Sequence, residues 1–377
     1  MKVLVLGGTG AMGQPLIKQL SLQGDDVYVT SRRKYESKDN IHFIQGDAHD
    51  LHFIKQQLRT EYDVIVDFMI YGTETFKERA DLYLNATGQY MFLSSARVYA
   101  QSKEPIKEDS PRLLDVCKDK DYLRTDEYAL AKARSEDILF NSEKNNWTII
   151  RPYITYNIKR LQLGGMELVM WLNAVLAGKP LVLPRDVGQK ETTMTYGNDV
   201  SRAMSMLVGN KEAIGEAFHI TGTDHMIWSD VASVYRESIE EFTGMRLELF
   251  TPEDSTELSA VLGNSTQIKY DRLYDRLFDN SKLMRVCGNA FSFTPMRDGL
   301  KACIQAYLKL PEKQRMNERN ITYEAWLDRA TNRKASTKGM GTSRKKIKYL
   351  AYYYAPNMTR RALGVKRGLI GGLGTRK

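Results

Sequence analysis

A chain of 377 residues with 42% hydrophobic and 27% charged side chains has an ordinary globular composition, long enough for one large domain or two smaller ones. Its three cysteines, Cys117, Cys287 and Cys303, lie far apart without CxxC spacing, which argues against a disulfide framework or a thiolate metal site. The net charge of +9 is uneven: residues 331–377 hold 13 Lys or Arg and no acid, leaving a net −4 on the 330 residues before them.

The first elements alternate strand and helix. Lys2–Leu6 is a short apolar run closed by glycines, and without a basic flank it reads as a strand of the mature fold rather than a targeting segment. Pro15–Gln23 has helical spacing at Leu16, Ile17 and Leu20 and stops at Gly24. Val27–Thr30 and Ile41–Ile44 follow as strands, the second closing in Gly46-Asp47. Leu51–Arg59 is a predicted helix, Asp63–Met69 a strand, Phe76–Ala86 a helix, and Tyr90–Ser94 a strand entering a polar turn. Tyr122–Phe140 has helical character. This rhythm predicts βαβ units and a doubly wound parallel α/β sheet of the Rossmann type over residues 1–155.

Past Arg151 the rhythm loosens. Gly165–Ala177, Asn198–Gly209 and Ser229–Thr243 read as helices, and Pro180–Pro184, Glu191–Tyr196, Ala217–Thr221 and Leu247–Phe250 as extended. Residues 156–330 are expected to form a smaller mixed α/β substrate-binding lobe, and 331–377 a basic C-terminal tail. No apolar run approaches the ~20 residues that span a bilayer, so a cytoplasmic location is expected.

Gly7-Gly-Thr-Gly-Ala-Met-Gly13 joins the first strand to the first helix and satisfies both GxGxxG and GxxGxxG. Glycine is required where a chain turns tightly and its backbone approaches a pyrophosphate without a Cβ in the way. Gly7, Thr9, Gly10, Ala11, Met12 and Gly13 are therefore candidate residues for binding NAD(P). The second strand ends in Thr30-Ser-Arg-Arg33, with no carboxylate before Glu36 to take a ribose 2′-hydroxyl. Ser31, Arg32 and Arg33 lie where a 2′-phosphate would sit, and paired guanidinium groups favour NADP; the alternative is arginines that simply face solvent.

Tyr128-Ala-Leu-Ala-Lys132 places a phenol and an ammonium four residues apart on one helix face. An adjacent cation is expected to lower the phenol from its ordinary value near ~10 and fit Tyr128 for general acid/base work. Phe92-Leu-Ser-Ser-Ala-Arg-Val-Tyr99 puts Ser94 and Ser95 at a strand end, where a hydroxyl can bind a reacting oxygen, or, read alone, form a turn or helix cap.

The glycine loop, Gly46-Asp47, SSARVY, YALAK and Arg151-Pro152, in this order and spacing, resemble the extended short-chain dehydrogenases, the NAD-dependent epimerase/dehydratase family. Met194-Thr-Tyr-Gly-Asn-Asp-Val200, Gly215–Ile220 and Trp228-Ser-Asp230 resemble its later elements, and Phe278-Asp-Asn-Ser-Lys282 resembles a segment of members related to chloroplast RNA-binding proteins. The resemblance covers roughly residues 1–310. It implies that Gly7, Gly10 and Gly13 hold the pyrophosphate and Asp47 contacts adenine. It also implies that Ser95 binds the substrate oxygen, Tyr128 is the acid/base, and Lys132 also holds the nicotinamide ribose. The implied activity is that of a 4-epimerase or 4-keto reductase on a nucleotide-activated sugar, with a homodimer as a family expectation.

Three departures narrow this expectation. Ala96 and Arg97 stand where sugar 4,6-dehydratases carry an Asp-Glu pair, which disfavours elimination. Val66-Asp-Phe-Met69 replaces the usual strand end, leaving Asp67 without an assigned role. A charged insert, Ser102–Arg124, separates Ser95 from Tyr128. In the tail, Arg344–Tyr354 mixes cations with aromatics, and Arg360, Arg361, Lys366 and Arg367 follow. It reads first as a disordered or dimer-covering tail. It also suits an anionic membrane surface, which would make the protein peripheral, and third a nucleic-acid backbone. The last reading supports the alternative of a dehydrogenase-fold RNA-binding protein.

Overall fold

A computed structural model describes residues 1–10, 12–288, 291–316 and 318–359. Within it the chain forms two compact units, each assembled from three segments. The first comprises Met1–Arg160, Glu191–Met226 and Tyr274–Cys303; the second comprises Leu161–Lys190, Ile227–Leu273 and the chain from Ile304 onward.

The first unit is built on β1 (Lys2–Leu6), β2 (Asp26–Ser31), β3 (Ile41–Gln45), β4 (Tyr62–Asp67), β5 (Thr87–Leu93), β6 (Trp147–Pro152) and β7 (Glu216–Ile220). These pair in parallel throughout, in the order β7-β6-β5-β4-β1-β2-β3. Parallel strands need crossovers, and α1 (Gly13–Leu22), α2 (Leu51–Gln57), α3 (Thr73–Asn85), α4 (Tyr128–Phe140) and α5 (Gly197–Leu207) supply them. The apolar runs alternate sides of the sheet residue by residue. Val3 and Val5 join Leu16, Leu20, Val200 and Met204 on the face covered by α1 and α5. Leu4 and Leu6 join Ile54, Phe76, Tyr83 and Leu139 on the face covered by α2, α3 and α4. Both faces are covered by helices, which is why the central strands read as continuous apolar runs. The expected doubly wound sheet is present, and its order reverses between β1 and β4, opening a crevice at their carboxyl ends.

One predicted helix divides. Tyr122–Phe140 is two helices, a single turn at Lys120–Leu123 capped by Asp119 and then α4, with Tyr128 as its first residue. The break arises because Asp126 turns outward to Thr73, accepting from its backbone N–H (2.9 Å) and hydroxyl (2.6 Å), while Glu127 caps α4 through the N–H of Ala129.

The second unit is mostly helical: Leu168–Leu176, Trp228–Thr243, Thr256–Leu262, Ile321–Ala330 and Ser343–Tyr354 accompany one short parallel pair, Leu181–Val182 with Leu249–Phe250. Trp171 anchors it, stacking on Tyr235 at 4.8 Å and donating its indole N–H to the Leu161 carbonyl. The basic segment expected as a tail carries structure up to residue 359. Thr342 caps Ser343–Tyr354, and this helix packs on Ile321–Ala330 with Tyr349 fully buried, its hydroxyl donating to Asp328 at 2.6 Å. Arg360, Arg361, Lys366 and Arg367 lie outside the described residues. Among the described residues no helix is long and apolar enough to cross a membrane.

Candidate active site

The glycines of the first loop do different work. Gly7 has φ +69°, a conformation strained for any L side chain, and its N–H donates to the Thr30 hydroxyl at 3.1 Å, closing the loop onto β2. A Cβ on Gly13 would lie 2.3 Å from the Gly8 carbonyl oxygen, so this position lets α1 start against the loop backbone. Around Gly10 a Cβ would meet nothing within 4 Å, so the loop presents an open face there. Met12 is the N-cap of α1 without a side-chain hydrogen bond, and its carbonyl accepts from Ser201 on α5.

A cavity of about 370 Å³ opens beside this loop at the sheet crossover. Among the residues singled out in the sequence, Gly7, Thr9, Gly10, Ser31, Arg32 and Asp47 line it. Arg33 is exposed and, like Met12 and Gly13, does not line it; Ala11 lies outside the described residues. The wall also contains Thr30, Gly46, Phe68 and Met69, which belong to the segments singled out in the sequence without being assigned to the site, and Ala48, His49 and Ile70, which no motif marked. Strand pairing brings Phe68, Met69 and Ile70 there, because Asp67 pairs with Leu6 and the residues after both strands share one end of the sheet. The closed glycine turn, the open face at Gly10 and the uncapped start of α1 together fit a dinucleotide's phosphates.

The two serines after β5 separate by role. Ser94 is buried and donates to Glu136 at 2.5 Å, a structural bond within the fold. Ser95 caps the turn Ala96–Val98 by accepting from the Arg97 N–H, and its side chain lies close enough to the Tyr128 phenol to draw it downward. Tyr128 and Ser95 thus meet at the carboxyl end of the sheet. Lys132 is not among the leading influences on Tyr128. Burial is the largest influence on the phenol and raises it above its ordinary value; Ser95 and the cation of Arg97 partly offset this. The guanidinium facing the ring is that of Arg97, 5.2 Å from its centroid. The reason is geometric: Lys132 turns inward, donating to the Leu93 carbonyl at 2.6 Å and the Met69 carbonyl at 3.4 Å, with its ammonium 4.5 Å from the Phe92 ring. Burial pushes this amine down to about 8, against the opposing pull of Asp67 and Glu136.

Asp67, without an assigned role in the sequence, proves to be a buried organiser. It accepts from the Met69 N–H at 2.8 Å and the Tyr90 hydroxyl at 2.7 Å, fixing the turn whose Met69 carbonyl faces Lys132. Burial drives its carboxyl upward, and these hydrogen bonds oppose that rise. One turn beyond Lys132, Glu136 holds Arg151 of β6 in a two-pronged pair at 2.8 and 2.9 Å, while Arg112 of the charged insert reaches Glu136 and Asp137. The insert is therefore pinned to α4 rather than loose in solvent, with Arg112 also donating to the Ala133 carbonyl.

The sequence profile of the NAD dependent epimerase/dehydratase family matches residues 3–221. The chain belongs to this family. Similar curated proteins include the UDP-glucose 4-epimerases of Lacticaseibacillus casei (33% identical over 137 residues, 30% of this chain) and Lactobacillus helveticus (32% over 136 residues, 29% of this chain). Each match spans only 41% of the relative's own length. Among solved structures, the fold resembles the Bordetella bronchiseptica enzyme WbmH in complex with NAD+ (TM-score 0.62, 17% identity, 82% of this chain and 98% of that one). It also resembles UDP-glucuronic acid 4-epimerase from Bacillus cereus in complex with UDP-glucuronic acid and NAD (TM-score 0.60, 18% identity, 82% and 99%). At these identities the likeness concerns the fold.

Proposed function

We propose that this family member is an NAD(P)-dependent enzyme acting on a nucleotide-activated sugar, as a 4-epimerase or a 4-keto reductase. The observation that carries the reading is the placing of Ser95 beside Tyr128 at the end of the sheet that also holds the glycine-loop cavity. The bound dinucleotide would supply reversible hydride acceptance. Gly7, Thr9 and Gly10 would hold its pyrophosphate and Asp47 its adenine side. Tyr128 would take or return the proton of the substrate hydroxyl at its phenol oxygen, and Ser95 would hold that same oxygen in line. Lys132 fixes the strand ends behind this pair through the Leu93 and Met69 carbonyls. UDP-sugar 4-epimerases among the similar proteins support the substrate class.

For the 2′-position, Arg32 is the arginine on the cavity wall, which it shares with the carboxylate of Asp47. NADP preference therefore rests on Arg32 alone. Mass spectrometry of ligand released on denaturation, followed by titration of the stripped protein with NADH and NADPH, tests the reading. Tight retained NAD would favour the epimerase; exchangeable NADPH binding, weakened about tenfold or more in Arg32→Ala with NADH binding unchanged, would favour the reductase. Failure to bind either dinucleotide rejects the proposal. Tyr128→Phe should lower turnover of a UDP-hexose by ~10²-fold or more without changing dinucleotide affinity; unchanged turnover would remove Tyr128 from the mechanism.

A further inference from the structure

Helix Ser343–Tyr354 has two faces of different character. One is fixed to its own unit through Tyr349, Tyr352 and Tyr353. The other leaves Ile347, Leu350 and Tyr354 in the open at 68%, 38% and 71% exposure, with Met358 beyond the helix end at 75%. Positions 347, 350 and 354 recur at helical spacing, so their side chains form one stripe. Arg344 and Lys348 border the stripe, with Lys345 and Lys346 beside them in the first turn, and all four are exposed. No acidic residue occurs between Thr331 and Lys377 to neutralise them.

A phosphate backbone would satisfy the cations and leave Ile347, Leu350 and Met358 in water, since aliphatic side chains offer no stacking surface. An anionic lipid surface takes both parts, the apolar stripe at the acyl boundary and the cations at the headgroups. We propose that this helix docks the protein reversibly on an anionic bilayer surface, lying in the interface plane on its Ile347–Leu350–Tyr354 stripe.

The full chain would be sedimented with phosphatidylcholine vesicles, with and without roughly one-third phosphatidylglycerol. Anionic vesicles should be bound preferentially. Binding should fall about tenfold or more in Ile347→Ser/Tyr354→Ser and in Arg344→Glu/Lys348→Glu, and in the native chain on raising salt. All four positions are exposed, so unchanged unfolding midpoints should accompany the loss. The proposal is overturned by equal binding to neutral and anionic vesicles, by no vesicle binding, or by variants that sediment like the native chain. It is equally overturned if the stripe variants abolish self-association or RNA binding while vesicle binding persists.

Discussion

Tyr128 and Lys132 share a helix face, yet the backbone around them gives each a different environment. The YxxxK spacing was legible in the sequence; the electrostatics was not, because it depends on carbonyls at Met69 and Leu93 and on Asp67, all distant along the chain. A buried ammonium is disfavoured relative to water, so the folded chain holds its Lys132 proton less tightly than the unfolded one. Between about pH 8 and the ordinary lysine value of 10.5, the unfolded state binds a proton that the folded state has released. Lys132 therefore opposes folding most at or below pH 8, and stability recovers as pH rises through this window. Relative to Lys132→Met, the native chain should gain up to about 3 kcal/mol between these limits, measured by urea unfolding at a series of pH values. A pH-independent difference would show that the ammonium is not held in this environment.

Strands β1, β2, β4 and β5 were readable because each carries a buried apolar run, and the half-buried edge strand β3 because its short apolar run stops at Gly46-Asp47. In the second unit both short strands and the helices Leu168–Leu176 and Trp228–Thr243 fell on segments read from the sequence, but the pairing of the strands was not legible, because two-residue strands carry no period and these lie nearly seventy positions apart. The start of α4 was missed for another reason: Asp126 and Glu127 act through side-chain hydrogen bonds that end one helix and begin the next. The position of α4 on the sheet then depends on the Glu136–Arg151 pair, both members of which are buried. Breaking such a pair strands a charge away from water, so Arg151→Met should destabilise by about 3–5 kcal/mol in urea. It should also lower thermal stability more than Arg112→Met, because Arg112 is the more exposed partner of Glu136. Equal losses would mean that the pair is not what seats the helix.

At the scale of the whole chain, composition marked residues 331–377 correctly as basic but hid the structure of 331–359. Tyrosines in a Lys/Arg-rich stretch read equally well as surface groups, and the folded face shows only in their contacts, Tyr349 with Asp328 and Tyr353 with the Arg333 carbonyl. Asp328 is buried with Lys179 as its ion-pair partner, so Tyr349→Phe removes a hydrogen bond to a charged acceptor. A loss of about 1.5–3 kcal/mol is expected from denaturant unfolding of the full chain. No change would indicate that water replaces the hydroxyl without penalty. The three-segment assembly of the first unit also dictates an order of events on the ribosome. β6 is complete at Pro152, but the strand that covers its free edge begins only at Glu216. Until α5 emerges, Met91, Leu93 and Ile150 lack part of the cover they have in the finished core. A nascent chain halted near residue 155 therefore carries an unpaired edge and a bare apolar face, the features that recruit chaperones and drive aggregation. Translation speed between the codons for Pro152 and Ile220 should then govern how much of this protein reaches its native state.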